Sequence, residues 1–304
     1  MTARAQTVTH RRAGIQHIWI HQTSGCNPRA ELPTRRTLRG RWRWLGGRAA
    51  DIEWKPRPDN PHHARLYAVE DLYRFWVGGL GWFEIDPARL RLVVPPDVDP
   101  VLREQRIWGV PAILLLPPDH VSLHSSAVEV DGRALMFVAP GRFGKTTLAA
   151  AFHAQGHRLL TEDLTCVRVA GTPALLPGPP TLRLRPDVRD LLHLDDVVEM
   201  RRTDDRSHYL IDVVRHGDAA AVPLAGIVFL NAGSGGPTLS EVAGLERLPE
   251  LWATAFPLAS KSRGDRFAQL VDLVTSVPVW DLHREPTLAG LPALVDLLVR
   301  TCLA

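Results

Sequence analysis

The sequence predicts an α/β fold with a mixed sheet, and three observations carry that reading. An apolar run, Arg133–Val138, leads into the short stretch Ala139-Pro140-Gly141-Arg142-Phe143-Gly144 and then into a helix-like run over 147–154. That is a strand, a tight loop and a helix, with Gly144-Lys145-Thr146 at the helix start. Asp131-Gly132 separates the β-like runs 121–130 and 133–138, and Asp-Gly in that position is the strongest short-range hairpin signal. On both sides, β-like runs alternate with helix-like ones. Hairpin-joined neighbours mixed with strand–helix–strand units give a sheet that is not purely parallel.

Taken in order, residues 1–60 read as a basic, irregular segment that ends in Pro56, Pro58 and Pro61. Residues 61–120 read as a small strand-rich subdomain. Its runs 65–69, 73–77, 82–85 and 90–94 are separated by Gly and Asp-Pro punctuation. A helix over 101–115, interrupted near Pro111, follows. The third region, 121–304, opens with the hairpin and the loop. The helix after the loop stops at Gly156, and a strand over 157–160 leads to Glu162-Asp163. The stretch 171–180 reads as a Pro/Gly-rich loop, 186–194 as a short helix, and 201–207 as a charged, exposed loop and candidate lid. Strands are expected over 209–214, 225–231 and 277–282, and helices over 248–256, 265–275 and 288–303.

Composition narrows the class. The chain has 304 residues, 45% hydrophobic and 23% charged, with a formal charge of +3. That length holds one large α/β domain, or one domain with a small one appended. The charge is unevenly placed: ten arginines precede residue 50, against the single acid Glu31. Such a segment is a solvated leader or a binding surface for an acidic peptide or nucleic acid, and the leader is the favoured reading. Trp19, Trp42, Trp44 and Trp54 argue that part of it docks. Cys26, Cys166 and Cys302 are odd in number and far apart, which disfavours a disulfide framework or a zinc site and fits a reducing cytoplasm. The run 110–116 is too short to span a membrane, and no signal-peptide pattern is visible at the start.

The loop carries the chemistry. Backbone N–H groups at a helix N-terminus are unpaired, and the helix dipole favours an anion there. Gly141, Arg142, Phe143, Gly144, Lys145, Thr146 and Thr147 are the expected phosphate contacts. Lys145 would reach the β- and γ-phosphates of ATP, and the Thr146 hydroxyl would ligate Mg²⁺. The pattern departs from the usual one at Ala139, where glycine is expected, and at Arg142, which replaces a mid-loop glycine or supplies an extra cation. The chain contains only Lys55, Lys145 and Lys261 as lysines. In so arginine-rich a chain, a lysine in this loop answers a need for a compact ammonium.

Glu162 and Asp163 close an apolar run shortly after Lys145. A carboxylate at the end of a neighbouring strand in a phosphate-loop enzyme holds Mg²⁺ or takes the proton of the attacking hydroxyl. Adjacent residues on an extended segment point opposite ways, so one acid, expected to be Asp163, faces the phosphates. His124 is expected on the strand paired with the one that feeds the loop.

Residues 123–128, the Asp131-Gly132 turn, the loop, residues 156–160 and Glu162-Asp163 together resemble the catalytic domain of HPr kinase/phosphorylase. They resemble more closely the HPr-kinase-related proteins encoded beside genes for ribosomally made, modified peptides. The likeness is tight over 121–168, looser over 175–184, 224–231 and 277–295, and absent from the first 60 residues. It implies a phosphate-loop nucleoside-triphosphate-binding fold of the HPr kinase / phosphoenolpyruvate carboxykinase type. It implies ATP-dependent phosphorylation of a serine hydroxyl in a peptide or protein acceptor. It implies phosphate and Mg²⁺ binding by Lys145 and Thr146, metal ligation and base catalysis by Glu162 and Asp163, and a place for His124 beside the phosphates. The family usually has Asp-Asp where this chain has Glu162-Asp163.

The reading is therefore a cytoplasmic Mg-ATP-dependent serine kinase, with a homo-oligomer compatible and nucleic acid disfavoured. A nucleotide-binding scaffold without transfer is the first alternative, prompted by Ala139 and Arg142. Nucleic-acid binding through the basic start is the second.

Overall fold

The computed structural model describes residues 7–8, 19–22, 50–55, 63–95, 106–179, 181–194, 197–202, 207–211, 221–256, 263–285, 287–288 and 290–303. They form two compact units, one holding the described residues up to Leu115 and the other those from Leu116 onward.

The first unit is a seven-stranded sheet in the order β1-β2-β7-β6-β5-β4-β3. Its strands are β1 (Thr7–Val8), β2 (Trp19–Gln22), β3 (Ile52–Trp54), β4 (Ala64–Val69), β5 (Leu72–Val77), β6 (Gly81–Asp86) and β7 (Arg91–Val94). The four expected runs are β4 to β7, and alternation buries Leu66, Phe75, Phe83, Ile85 and Leu92. Three strands lie in the stretch expected to be irregular. They are two to four residues long, too short for a period to register in sequence, and cross-strand partners define them. The expected helix is interrupted just before Pro111: Arg106 and Ile107 are helical, Trp108 and Gly109 form a turn, and α1 (Val110–Leu114) carries Pro111 in its first turn, where proline is tolerated. The start of the expected helix, 101–105, lies outside the described residues.

The second unit is α/β with a mixed sheet. Its elements are β8 (His120–Leu123), β9 (Ser125–Val130), β10 (Arg133–Val138), α2 (Lys145–Ala154), β11 (Arg158–Thr161), β12 (Thr165–Arg168), β13 (Ala174–Leu176), β14 (Thr181–Leu184), α3 (Pro186–Leu191), β15 (Val197–Arg202), β16 (Ser207–Ile211), β17 (Val222–Ala232), β18 (Thr238–Val242), α4 (Leu248–Thr254), α5 (Arg263–Ser276), β19 (Val279–Arg284) and α6 (Leu291–Cys302). One path of the main sheet runs β11-β9-β10-β17, then on through β19 to β18; β17 also pairs with β13, which continues through β12 to β8. β10, β17 and β19 are mutually parallel, while β9, β11 and β18 pair antiparallel. β14, β16 and β15 form a separate antiparallel sheet.

The two faces of the main sheet bury two cores. One packs Leu135, Phe137, Val228 and Leu282 against α2 and α6. The other packs Met136, Val138, Ile227 and Phe229 against α4 and α5. Alternation along β10 and β17 sends successive residues to opposite cores. Helix α2 is buried from Leu148 to His153, as a helix apolar on most sides should be. It ends where Gly156, at φ 89°, takes the left-handed conformation that lets the chain turn into β11.

Several expectations change. β13 lies inside the stretch read as a Pro/Gly loop, and β18 is a strand that the sequence pattern does not announce. Arg201 and Arg202 belong to β15, paired in a hairpin with β16, so they do not form the expected exposed loop; 203–206 lie outside the described residues. Residues 212–214 of an expected strand also lie outside them. Among the described residues no helix is long and apolar enough to cross a membrane.

Candidate functional site

The site grows from the end of β10. Asp131 and Gly132, at φ 48° and 75°, make the hairpin turn that pairs β9 with β10. β10 is buried from Ala134 onward and delivers the chain to the loop 139–144 at the carboxyl edge of the parallel strands, where α/β sheets take ligands. Gly144, at φ 84°, stands at the N-cap of α2, and the Leu148 N–H donates to its carbonyl at 2.9 Å. Ala139 adopts no positive φ, so its methyl group is accommodated. Arg142 does, at φ 69°, in a conformation that favours glycine. Gly141, Arg142 and Phe143 are exposed, and Thr147 lies half-buried in the first turn of α2.

Lys145 is only 6% exposed. Its ammonium donates to the carbonyls of Ala139 at 2.9 Å and Pro140 at 3.2 Å, and lies 3.3 Å from His124 Nε2. The loop thus closes on its own lysine. Burial pushes the Lys145 amine below its ordinary range, against the pull of Asp163 and Glu162.

Glu162 and Asp163 follow β11 in a bend. The opposite-face rule for extended residues therefore fails, and both carboxylates converge on one cation, Arg183. Its Nε donates to Glu162 Oε2 at 2.9 Å and its Nη2 to Asp163 Oδ2 at 2.6 Å. Of the two acids, Glu162 touches the loop helix: the Thr146 hydroxyl donates to Glu162 Oε1 at 3.0 Å. Ser126, from β9, donates its hydroxyl to the Glu162 carbonyl and fixes the bend. Burial, opposed by the Arg183 charge and reinforced by Asp163, holds the Glu162 carboxyl above its ordinary range. Burial would raise Asp163 as well, but Arg183 and His124 outweigh it and hold that carboxyl well below its ordinary range.

His124 is not on a strand. It sits between β8 and β9, where the chain leaves one set of sheet partners for another, and its N–H donates to the Thr254 carbonyl at 2.8 Å. Nδ1 lies 3.1 Å from Asp163 Oδ1. A proton on Nδ1 donating to Asp163, with Nε2 accepting from Lys145, satisfies both contacts. Lys145, His124 and Asp163 then form one chain.

The structure brings Lys145, Thr146, His124, Glu162 and Asp163 into that connected group. It adds two residues that sequence reasoning missed. Arg183 sits on β14 between buried Leu182 and Leu184, an alternation that marks a strand but not an ion pair. Arg284 ends β19, and its Nη2 lies 3.4 Å from the Phe143 carbonyl. Its only signal in the sequence is a lone arginine just past an apolar run.

The donors fit a phosphate chain: unpaired amides at the start of α2, a buried ammonium and a neighbouring guanidinium. For Mg²⁺ the fit is narrower. Thr146 Oγ1 and Glu162 Oε1 would hold it, while Arg183 already occupies the other Glu162 oxygen. Among the described residues no group of three His, Cys, Asp or Glu side chains forms a metal cage.

No family model matches the chain, and no curated protein matches it. Among solved structures, an Hpr(Ser) kinase/phosphatase from Coxiella burnetii is similar over 59% of this chain and 93% of its own, at 14% identity and a TM-score of 0.31. At that level the functional reading rests on the geometry of the site itself.

Proposed function

We propose that this protein is a Mg-ATP-dependent kinase that phosphorylates a serine hydroxyl of a peptide or protein. One observation carries the reading: at the start of the loop helix a buried lysine meets His124, which meets Asp163, while the adjacent Thr146 donates to Glu162, a carboxylate of unlike environment. Two acids whose surroundings push their proton affinities apart suit two roles.

ATP would supply the phosphoryl group, with Mg²⁺ neutralising charge between its phosphates. The amides at the start of α2 bind and orient the phosphates. Lys145 exchanges the Ala139 and Pro140 carbonyls for phosphate oxygens. Thr146 and Glu162 hold the metal side of the site. The Asp163 carboxylate, half-exposed and steered by His124, orients the acceptor hydroxyl and receives its proton. So weak a base suits a loose phosphoryl transfer, in which positioning and charge stabilisation do most of the work.

The test is to melt the protein with and without Mg-ATP, beside Lys145→Ala, and then to follow γ-phosphate onto serine peptides by mass. Ligand at about 100 times its dissociation constant adds about 2.7 kcal/mol. Expected is a rise of several degrees in the wild type that the variant loses, with mass added to a serine peptide. No rise in the wild type sinks the nucleotide site.

Arg183 favours a second reading, a nucleotide-binding protein without transfer. It neutralises both acids at once, which leaves less room for metal and base. Binding that depends on Lys145, with no phosphate moved to any serine peptide, would select it.

A further inference from the structure

Arg284 carries an inference that rests on the nucleotide reading of this loop. β19 runs parallel to β17 and β17 to β10, so the three strands end at one edge of the sheet. Register places Val138 beside Phe229 and Phe229 beside Asp281, and Arg284 lies three residues further along, at the level of the loop. Leu282 packs in the core under α2. Arg284, two residues on, points to the same face. The Gly233 N–H donates to the Arg284 carbonyl at 2.9 Å and anchors the strand end.

The guanidinium lies against the loop itself. A Cβ on Gly144 would come within 2.5 Å of Arg284 Nη2. The residue is 8% exposed. Nη2 donates to the Phe143 carbonyl at 3.4 Å and Nη1 to the Glu285 carbonyl at 3.3 Å, while Nε is buried with no partner. Four other buried or half-buried arginines of this protein meet carboxylates: Arg74 with Glu84, Arg158 with Glu129, Arg247 with Asp281, and Arg183 with both Glu162 and Asp163. Arg284 meets none among the described residues, and burial alone depresses its proton affinity. A buried cation without a counter-charge is costly. Beside the start of α2, an anion bound in the loop would supply that counter-charge.

We propose that Arg284 is a phosphate-binding residue, contributed from the far end of the chain, that completes the loop as a site for the phosphates of a nucleoside triphosphate. The planar guanidinium presents paired donors to phosphate oxygens, which the single ammonium of Lys145 does not.

The experiment measures calorimetric affinity for Mg-ATP and for inorganic pyrophosphate in the wild type, Arg284→Gln, Arg284→Lys and Lys145→Ala, with the melting temperature of each ligand-free protein. The expected result is a loss of about tenfold to hundredfold for both probes in Arg284→Gln, partly restored in Arg284→Lys. Ligand-free Arg284→Gln should melt no lower than wild type, since it removes an uncompensated buried charge. Wild-type affinity in Arg284→Gln overturns the inference and leaves the nucleotide reading intact. So does weakened binding accompanied by a lowered ligand-free melting temperature, which would make Arg284 a structural residue. Binding of pyrophosphate through Arg284 without any binding of Mg-ATP keeps the anion site and removes the kinase reading. A wild type that binds neither probe removes both.

Discussion

Arg183 joins the two candidate catalytic acids, and its removal has a pH signature. Asp163, held below its ordinary range, contributes stability that is present above about pH 4 and is lost as pH falls through its folded value. Glu162, held above its ordinary range, has the opposite sign: its contribution is complete at low pH and is lost as pH rises through its folded value. Without Arg183 both carboxyls lose their counter-charge and shift upward. Arg183→Met should therefore be destabilised near neutral pH. Breaking a fully buried pair costs about 3–5 kcal/mol. The Arg183 side chain is 35% exposed, and solvent screening reduces that to about 1–3 kcal/mol. The deficit should shrink as pH falls from about 7.5 to about 4.5 and the acids take up protons. Melts of both proteins across that range check it, and a deficit that stays constant with pH would show that Arg183 acts by packing alone.

At the scale of elements, the join between β10 and α2 is fixed by one glycine for two independent reasons. Gly144 needs φ 84°, and its missing Cβ makes room for Arg284. Gly141, in the same loop, has no positive φ, and a methyl group added there would meet nothing within 4 Å. Gly144→Ala should cost about 1–2 kcal/mol in urea melts and weaken nucleotide binding, whereas Gly141→Ala should leave stability within about 0.5 kcal/mol of wild type. Equal behaviour of the two variants would remove the Gly144–Arg284 contact from the account. The same join explains what can be read in advance. Asp131-Gly132, the apolar β10 run, Gly144-Lys145-Thr146 and the stop at Gly156 are local signals, each with its own physical cause within a few residues. His124 reads as a strand residue because a strand that changes partners midway looks continuous in sequence. Glu162 and Asp163 read as diverging because a bend after β11 leaves no periodic trace. Arg183 and Arg284 reach the site through pairings of β14 and β19, contacts across long sequence separations that no local pattern encodes.

At the scale of the molecule, each unit has a buried core of its own. The first is built from Phe75, Phe83, Ile85 and Leu92, and the second from the two faces of the sheet around β10 and β17. A region with its own core can unfold by its own transition. The chain supplies two probes to separate them. Of the tryptophans among the described residues, those at 19, 54, 76, 82 and 108 belong to the first unit, and Trp252 and Trp280 to the second. The long helices α2, α5 and α6 all belong to the second unit. Tryptophan fluorescence should therefore follow mainly the first unit, and the far-ultraviolet helical signal mainly the second. Because Lys145, Thr146, Glu162, Asp163, Arg183 and Arg284 all lie in the second unit, saturating Mg-ATP should act on that transition alone. At about 100 times the dissociation constant the helical transition should rise by about 5–10 °C, with the fluorescence transition moving by less than about 1 °C. Coincident transitions that rise together would show a single cooperative fold. A rise confined to fluorescence would place the nucleotide in the first unit, away from Lys145.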